Sequence, residues 1–231
     1  MFNDRWKFSR ADSGDSRAVL TSQPAVKGGG RSSASGGDVY TRHSNGLEQF
    51  FGRIQGLEGL RLLDCSGASQ ANIAFITNMG CKLYSEDLVQ ALEFAFGRDD
   101  NYEEQSELAR IDAFLAENLN FPEDHFDGAL VWDVFEFLAP PLLKAVVDRL
   151  QRILRPGSYV MALFHAEDRG GAIPVYSYRI SDAKTLLLTP RGTRRPAQFF
   201  NNRAVERVFE GFESVKFFLT RDSLREVVVK R

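Results

Sequence analysis

The sequence predicts an α/β fold with a Rossmann-like, doubly wound, mostly parallel sheet and an antiparallel C-terminal hairpin. Short apolar segments alternate with segments of helical periodicity, which is the pattern of strands joined by crossover helices. Two of the apolar segments, Phe126–Trp132 and Ser158–Phe164, have few polar residues, as expected of parallel strands buried on both faces. Later strand-like segments are joined by short polar turns, which indicates hairpins.

Residues 1–37 have a different composition from the rest of the chain, because they are polar and rich in glycine and serine. Burial of this small apolar surface cannot offset the conformational entropy that the segment would lose on folding. We therefore expect a disordered tail. The remainder, residues 38–231, is long enough for one α/β domain with a large core. We therefore place the start of the folded domain near Tyr40.

Composition limits the classes of function. The chain is 43% hydrophobic with a formal net charge of −2, so nothing indicates binding to nucleic acid or to an anionic membrane. No apolar run approaches the roughly 18 residues of a membrane span, and the N-terminus lacks the apolar segment of a signal peptide. The two cysteines, Cys65 and Cys81, have no metal-ligand spacing. These features predict a cytoplasmic protein without a metal site.

The first part of the domain is predicted to alternate between helix and strand. Leu47, Phe50, Phe51 and Ile54 share one helical face, which predicts an amphipathic helix. The following predicted elements are a strand at Leu60–Asp64, a helix at Ala71–Asn78 ended by Gly80, a strand at Cys81–Ser85 and a helix over residues 89–97.

After a charged break, the apolar residues Leu108, Ile111, Leu115 and Leu119 return to helical spacing. The strand Phe126–Trp132 follows, then a helix at Pro141–Leu154 that begins with proline and is stopped by Arg155-Pro156-Gly157, then the strand Ser158–Phe164. The remaining predicted elements are a hairpin of Val175–Ile180 and Thr185–Thr189, a helix at Arg203–Phe209, and a terminal hairpin of Val215–Leu219 and Leu224–Lys230.

This ordered series resembles the class I S-adenosylmethionine-dependent methyltransferases over roughly residues 46–231. The likeness rests on an acid followed by a turn of small residues after the first strand, an acid pair after the second, and the two buried strands with their flanking loops. The blocks are Leu62–Gln70, Gly80–Leu88, Phe121–Leu138 and Leu154–Val160. The resemblance implies methyl transfer from S-adenosylmethionine to an acceptor that we expect to be a small molecule.

The resemblance also implies which residues contact the cofactor. Glu86 or Asp87 would accept the ribose hydroxyls, because a carboxylate offers two acceptor oxygens. The turn of Ser66, Gly67 and Ala68 would approach the methionine end, with Asp64 either anchoring this turn, accepting indirectly from the methionine ammonium, or capping the next helix.

Three further residues belong to the predicted ligand edge of the sheet. Trp132 would either wall the cofactor or pack in the core, and Asp133 would touch the transferred group or the acceptor. His165 follows the fifth strand and is the candidate general base, the alternative being a polar strand cap. Since methyl transfer depends chiefly on alignment, a base is not obligatory.

The chain departs from the family pattern in two ways. Ser66, Ala68 and Gln70 stand where glycines are usual, and the third strand with its terminal acid is missing from the pattern. Either a short strand lies near Ile111–Phe114 or the adenine pocket is rebuilt. The main alternative function is therefore a catalytically inactive methyltransferase-like binding or regulatory module.

Other nucleotide-binding classes fit less well. A nicotinamide-dependent oxidoreductase needs G-x-G-x-x-G, which this turn lacks, and a P-loop motif is absent from the sequence.

Residues 166–200 form an insert that starts at the ligand edge and carries Tyr176, Tyr178 and the arginines 191, 194 and 195. We expect this insert to cover the crevice and select the substrate; its alternative role is to cap the edge of the sheet.

Removal of residues 1–37 is expected to leave the melting temperature nearly unchanged, because this segment offers almost no apolar surface to the domain. Thermal unfolding of the full chain and of the truncated chain measures this directly. A large drop in melting temperature would show that the segment docks onto the domain.

Overall fold

The computed structural model describes residues 39–97, 102–166, 171–218, 220 and 224–231. The strands are β1 (Tyr40–His43), β2 (Arg61–Asp64), β3 (Lys82–Ser85), β4 (Phe126–Trp132), β5 (Leu154–His165), β6 (Ile173–Asp182), β7 (Thr185–Arg194), β8 (Ser214–Phe218) and β9 (Leu224–Lys230). The α-helices are α1 (Asn45–Ile54), α2 (Gln70–Asn78), α3 (Leu88–Phe96), α4 (Leu108–Asn118), α5 (Pro140–Ile153) and α6 (Asn202–Val208). Short 3₁₀ helices occupy Glu103–Ser106 and Val134–Phe137.

The central sheet has six strands in the order β3-β2-β4-β5-β9-β8. Strands β3, β2, β4 and β5 are parallel, whereas β9 is antiparallel to β5 and β8 is antiparallel to β9. The predicted fold class is confirmed: a mostly parallel sheet ends in an antiparallel hairpin. The carboxyl ends of β2, β3, β4 and β5 therefore lie along one edge, where open α/β sheets bind ligands.

Alternate side chains of the buried strands enter two separate cores. Leu130 and Trp132 of β4 pack with α1, α2 and the inner face of a second sheet of order β1-β7-β6. Ala129 and Val131 pack on the opposite face with residues of α3, α4, α5 and α6. Because both faces of the sheet are covered, its parallel strands are apolar almost throughout. This is why apolar runs in the sequence predict them.

The segment between α3 and β4 contains a helix where the family pattern has its third strand. Among its described residues, 97 and 102–125, no strand occurs, and Ile111 and Phe114 lie inside α4. The expectation of a short strand near Ile111–Phe114 is therefore wrong. Both side chains are buried against the core at helical spacing, and β3 is left as the edge strand of the sheet.

The largest differences from the sequence predictions are the extents of two predicted segments and one strand that was not predicted. The first hairpin is longer than Val175–Ile180 and Thr185–Thr189, because β6 and β7 continue through bulges past polar residues to Ile173 and Arg194. Strand β5 begins at Leu154 rather than Ser158, since Leu154 already pairs with Phe126. The polar strand β1 was not predicted as a strand and pairs with β7.

The predicted tail, residues 1–37, lies outside the described residues. Within the described ranges, the helices are too short or too polar to cross a bilayer. Both cysteines in the sequence are buried free thiols.

A buried ion pair attaches β1 and α1 to the central sheet. The guanidinium of Arg42 donates to Oε1 of Glu226 and, at 2.8 Å, to the carbonyl oxygen of Leu224. The other oxygen of Glu226 accepts from the amide of Gly46 at 2.6 Å. Glu226 is fully buried, so its charge depends on these donors for compensation.

The substitution Glu226→Gln is expected to lower the free energy of unfolding by roughly 3 kcal/mol, because it removes the buried negative charge that compensates the guanidinium of Arg42. The matched control is Glu213→Gln, whose pair with Lys230 is half exposed and should change stability by less than about 1 kcal/mol. Urea denaturation of both variants compares the two losses. Equal losses would contradict the anchoring role of Glu226.

Candidate functional site

The ends of four parallel strands place the predicted polar residues along one edge of the sheet. Asp64 ends β2, the pair Glu86-Asp87 follows β3, Trp132 ends β4 and His165 ends β5. The short 3₁₀ helix after β4 carries Asp133 at its start. The fold thus assembles the residues that the sequence separates by up to about a hundred positions.

The carboxylate of Asp64 is the centre of a buried hydrogen-bond network. Its Oδ1 accepts from the amide and the hydroxyl of Ser66, each at 3.0 Å, and from the indole Nε1 of Trp132 at 2.7 Å. Its Oδ2 accepts from Nδ2 of Asn72 at 2.8 Å. Burial raises the pKa of Asp64, and these four hydrogen bonds oppose the rise. Of the roles expected for Asp64, the geometry supports anchoring the turn.

Asn72 extends this network to the second sheet. Its Nδ2 also donates to the carbonyl oxygen of Tyr178, and its Oδ1 accepts from the amide of Ile180 at 2.7 Å. Strand β6 is therefore held against α2 by a side chain that is itself completely buried. The hairpin of β6 and β7 covers the sheet edge from this side.

Trp132 lies in the left-handed region of backbone conformation, with φ 59°. This conformation is rare for a bulky residue and costs free energy, and such strain is typical of functional sites. The indole is held by Asp64 and by Tyr178, whose ring stacks on it with centroids 4.7 Å apart and planes within 4°. Trp132 is buried, so of the two expected roles the geometry matches core packing.

The turn after β2 lies against the acid pair after β3. Gly67 has φ 89°, and a Cβ at this position would lie 3.0 Å from Oδ2 of Asp87. Its amide donates to the carbonyl oxygen of Glu86 at 3.2 Å, and Ser66 bridges to Asp87. Ala68 is exposed. Gly67 is the position of this turn where a side chain would meet the protein's own Asp87, so the close approach that requires a glycine occurs at this one residue.

Glu86 and Asp87 differ in whether their carboxylates have partners within the protein. Asp87 caps α3 by accepting from the amide of Gln90, and its Oδ2 pairs with Nη2 of Arg191 at 2.8 Å. The Glu86 carboxylate has no hydrogen bond or ion pair to another described residue. Partial burial raises the pKa of Glu86. Glu86 is therefore the acid of this pair whose oxygens are available to a ligand.

Asp133 and His165 lie close enough to interact electrostatically, together with Glu136 of the 3₁₀ helix. Burial raises the pKa of Asp133 to about 7, against the favourable influence of Tyr178 and His165. Burial lowers the pKa of His165, but the hydrogen bond and charge of Glu136 and the charge of Asp133 outweigh it and raise the pKa. The structure brings the two predicted catalytic residues together.

The insert at residues 166–200 is represented by β6, β7 and the segment after them. Arg191 reaches Asp87, and Arg194 is buried with its guanidinium 5.8 Å from the ring of Phe137. Arg195 is exposed, although its carbonyl oxygen accepts from the hydroxyl of Tyr102. The three arginines therefore do not form one cluster with one role.

Sequence reasoning missed Glu136, Asn72 and the docking of Tyr178. A signal existed for Glu136, because a single acid within the apolar run Val134–Leu138 must be buried and paired if the run is core. No comparable signal exists for Asn72.

Among the described residues, no three His, Cys, Asp or Glu side chains are grouped to hold a metal ion.

The raised pKa of Asp133 predicts a specific dependence of stability on pH. The folded state binds a proton at Asp133 up to about pH 7, whereas the unfolded state loses it near pH 4, so stability falls as pH rises between these values. The free energy of unfolding of Asp133→Asn minus that of the wild type should therefore increase from pH 4 to pH 7, by at most roughly 4 kcal/mol.

Urea denaturation across this range measures the difference. The substitution also removes the Asp133 charge that helps to raise the pKa of His165, so the titration of His165 contributes to the measured difference. Asp112→Asn, at an exposed position on α4, is the control. A flat difference for Asp133→Asn would mean that this carboxyl titrates near its ordinary value.

Comparisons with known proteins find a similarity to methyltransferase domains. The sequence matches the family profile described as a methyltransferase domain over residues 63–162, which span the Asp64 turn, the acid pair and β4. A search of curated proteins finds no match.

Similar solved structures include 1,6-didemethyltoxoflavin-N1-methyltransferase of Burkholderia thailandensis, at 13% identity and a TM-score of 0.44, covering 80% of this chain and 76% of that one. A SAM-dependent methyltransferase of Archaeoglobus fulgidus has 12% identity and a TM-score of 0.45, covering 80% and 91%. Both likenesses are too distant to transfer a substrate or a residue role. The profile covers less than half of the chain, so the comparisons show a similarity to methyltransferase domains.

Proposed function

We propose that this domain transfers the methyl group of S-adenosylmethionine to a small-molecule acceptor at the carboxyl ends of β2, β3, β4 and β5. The observation that carries the proposal is the Glu86 carboxylate, which lies beside the turn of small residues and has no partner among the described residues. An acid in this position suits a ribose, because its two oxygens can accept from both hydroxyls.

The residues of the edge fit the cofactor in part. Helix α2 has no side-chain cap at Ser69, so its first amides remain donors for a carboxylate such as that of the methionine group. Asp64 is saturated by four donors and contributes by holding Ser66 and Gly67 in place. When bound, S-adenosylmethionine supplies an electrophilic methyl group on a sulfonium sulfur.

The chain's own residues supply the acceptor side of the site. We assign Asp133 and His165 to the acceptor, because they follow β4 and β5 at the same edge and interact with each other. The cluster is buried beneath the hairpin of β6 and β7, and an enclosed site suits a small molecule better than a polymer. The insert would then select the acceptor, as expected from its position.

A second function, a catalytically inactive binding or regulatory module, is favoured by one observation. Arg191 of β7 already occupies Oδ2 of Asp87, and β6 is fixed over the edge through Asn72 and Trp132. A site closed by the protein's own hairpin would not need the cofactor. Absence of cofactor binding would favour this second function.

Isothermal titration with S-adenosylmethionine and with its demethylated product, S-adenosylhomocysteine, tests the proposal. We expect both to bind, and Glu86→Gln to weaken binding about 10-fold or more, because a charge-assisted hydrogen bond contributes about 1.5–3 kcal/mol. Asp87→Asn should weaken binding less, since its carboxylate is engaged by Arg191.

Glu117→Gln, at an exposed position on α4, is the matched control and should bind as the wild type does. Absence of binding to the wild-type protein would support the inactive module. Binding that is unchanged by Glu86→Gln would refute the role of Glu86 while leaving the reaction open.

A further inference from the structure

Arg194, the last residue of β7, is a buried cation without an anionic partner in the described part of the chain. It is 7% exposed, and its Nε and Nη1 atoms are shielded from solvent and make no hydrogen bond there. Arg42 is buried to the same extent, but its guanidinium is paired with Glu226. Buried arginines are normally paired, because an isolated charge is costly to remove from water. The charge of Arg194 therefore calls for an anion that comes from outside the chain.

The polar groups around Phe137, over whose ring the guanidinium lies, already have partners. The central carbon of the guanidinium is 5.8 Å from the ring centroid. The carbonyl oxygen of Phe137 accepts from Nε2 of Gln105, whose Oε1 accepts from a backbone amide. Glu136, the acid of this 3₁₀ helix, uses both carboxylate oxygens on His165. The face of an aromatic ring attracts a cation, but it does not pair the N–H groups in the guanidinium plane.

One edge of the guanidinium is open. Its third nitrogen, Nη2, also has no hydrogen bond to a described residue, but unlike Nε and Nη1 it is not shielded from solvent. A negatively charged oxygen group can approach Nη2 from the solvent side and, after a small rotation of the side chain, accept from Nη1 as well. Binding at this edge does not require an enclosed void.

Arg194 lies on the acceptor side of the proposed site. The ring that it covers, Phe137, belongs to the 3₁₀ helix that directly follows Asp133. Three residues after Arg194, the amide of Ala197 donates to the carbonyl oxygen of Glu136 at 2.7 Å. The end of β7 is thereby attached to the helix that carries the partner of the imidazole at the end of β5. An anion held by Arg194 would belong to a molecule that reaches this part of the edge.

We propose that Arg194 binds a carboxylate or phosphate group of the methyl acceptor, so that the acceptor is an anionic small molecule. This inference rests on the proposed function and names the acceptor class of the same site. The guanidinium suits this group, because two of its N–H donors can meet two oxygens of one anion. A neutral molecule of the same shape would leave the buried charge unpaired, and Arg194 therefore selects by charge.

The first test measures thermal unfolding in chloride, acetate and inorganic phosphate at one ionic strength. Acetate or phosphate should raise the melting temperature of the wild type saturably, by about 3 °C at ten times its dissociation constant. The anion that acts at the lower concentration identifies the group that Arg194 prefers. Arg194→Met should abolish this response, and in chloride it should melt above the wild type, because the substitution removes an unpaired buried charge.

Arg203→Met, at an exposed position on α6, is the matched control and should respond to both anions as the wild type does. If Arg194 instead serves only to pack against Phe137, Arg194→Met should melt below the wild type in chloride, and neither protein should respond saturably to acetate or phosphate. That result would overturn the inference.

The second test separates the acceptor from the cofactor, whose amino-acid part also carries a carboxylate. Isothermal titration compares S-adenosylhomocysteine with 5′-methylthioadenosine, which lacks that part. Arg194→Met should bind both as the wild type does. A loss of about 10-fold or more for S-adenosylhomocysteine alone would assign Arg194 to the cofactor and overturn the acceptor class.

The outcomes separate the two proposals. If S-adenosylhomocysteine binds to the wild type but acetate and phosphate have no saturable effect, the inference is overturned and the proposed function stands. If the anions act through Arg194 but S-adenosylhomocysteine does not bind, the proposed function fails, and the assignment of this anion site to a methyl acceptor fails with it. Should Arg194→Met not fold, the Nε–H resonance of Arg194 in the wild type decides: it should shift saturably with acetate or phosphate, and an unchanged resonance overturns the inference.

Discussion

The architecture of this edge depends on the buried carboxylate of Asp64. A buried carboxylate must be paired with donors, and here the donors come from the turn after β2, from α2 and from the end of β4. Through Asn72 the same network reaches the backbone of β6. One acidic group therefore fixes the turn, the strained Trp132 and the covering hairpin relative to one another, and none can move without leaving a buried polar group unpaired.

This constraint divides the edge into two parts. On one side, Asp87 is occupied by its helix cap and by Arg191, which leaves Glu86 for a ligand. On the other side, Asp133 and His165 are buried beneath the hairpin with acceptor atoms that have no partner in the described structure. The scarcity of glycine in the turn follows from the same packing, since the close approach at Gly67 is to Asp87.

Much of this could be predicted from the sequence, because it depends on local periodicity. The parallel strands are buried on both faces and appear as apolar runs, and α4 was visible from its helical spacing, although a strand was considered within it. Strand β1 and the ends of the first hairpin were not predictable, since their polar residues are strands only through pairing with β7. The predicted acids do lie at the edge, but whether each faces inward or toward a ligand depends on partners far along the chain.

The sequence by itself determined the fold class, the order of the elements and the set of polar residues at the strand ends, because hydrophobic patterning and turn chemistry act over short stretches of chain. Only the tertiary structure decided what each residue does. Asp64 became an internal anchor that holds Trp132, Arg191 a partner of Asp87, and Glu136 a partner of His165, and these three contacts each join positions 29 or more residues apart. Long-range hydrogen bonds between buried groups depend on how the layers pack, and no local pattern in the chain encodes that packing.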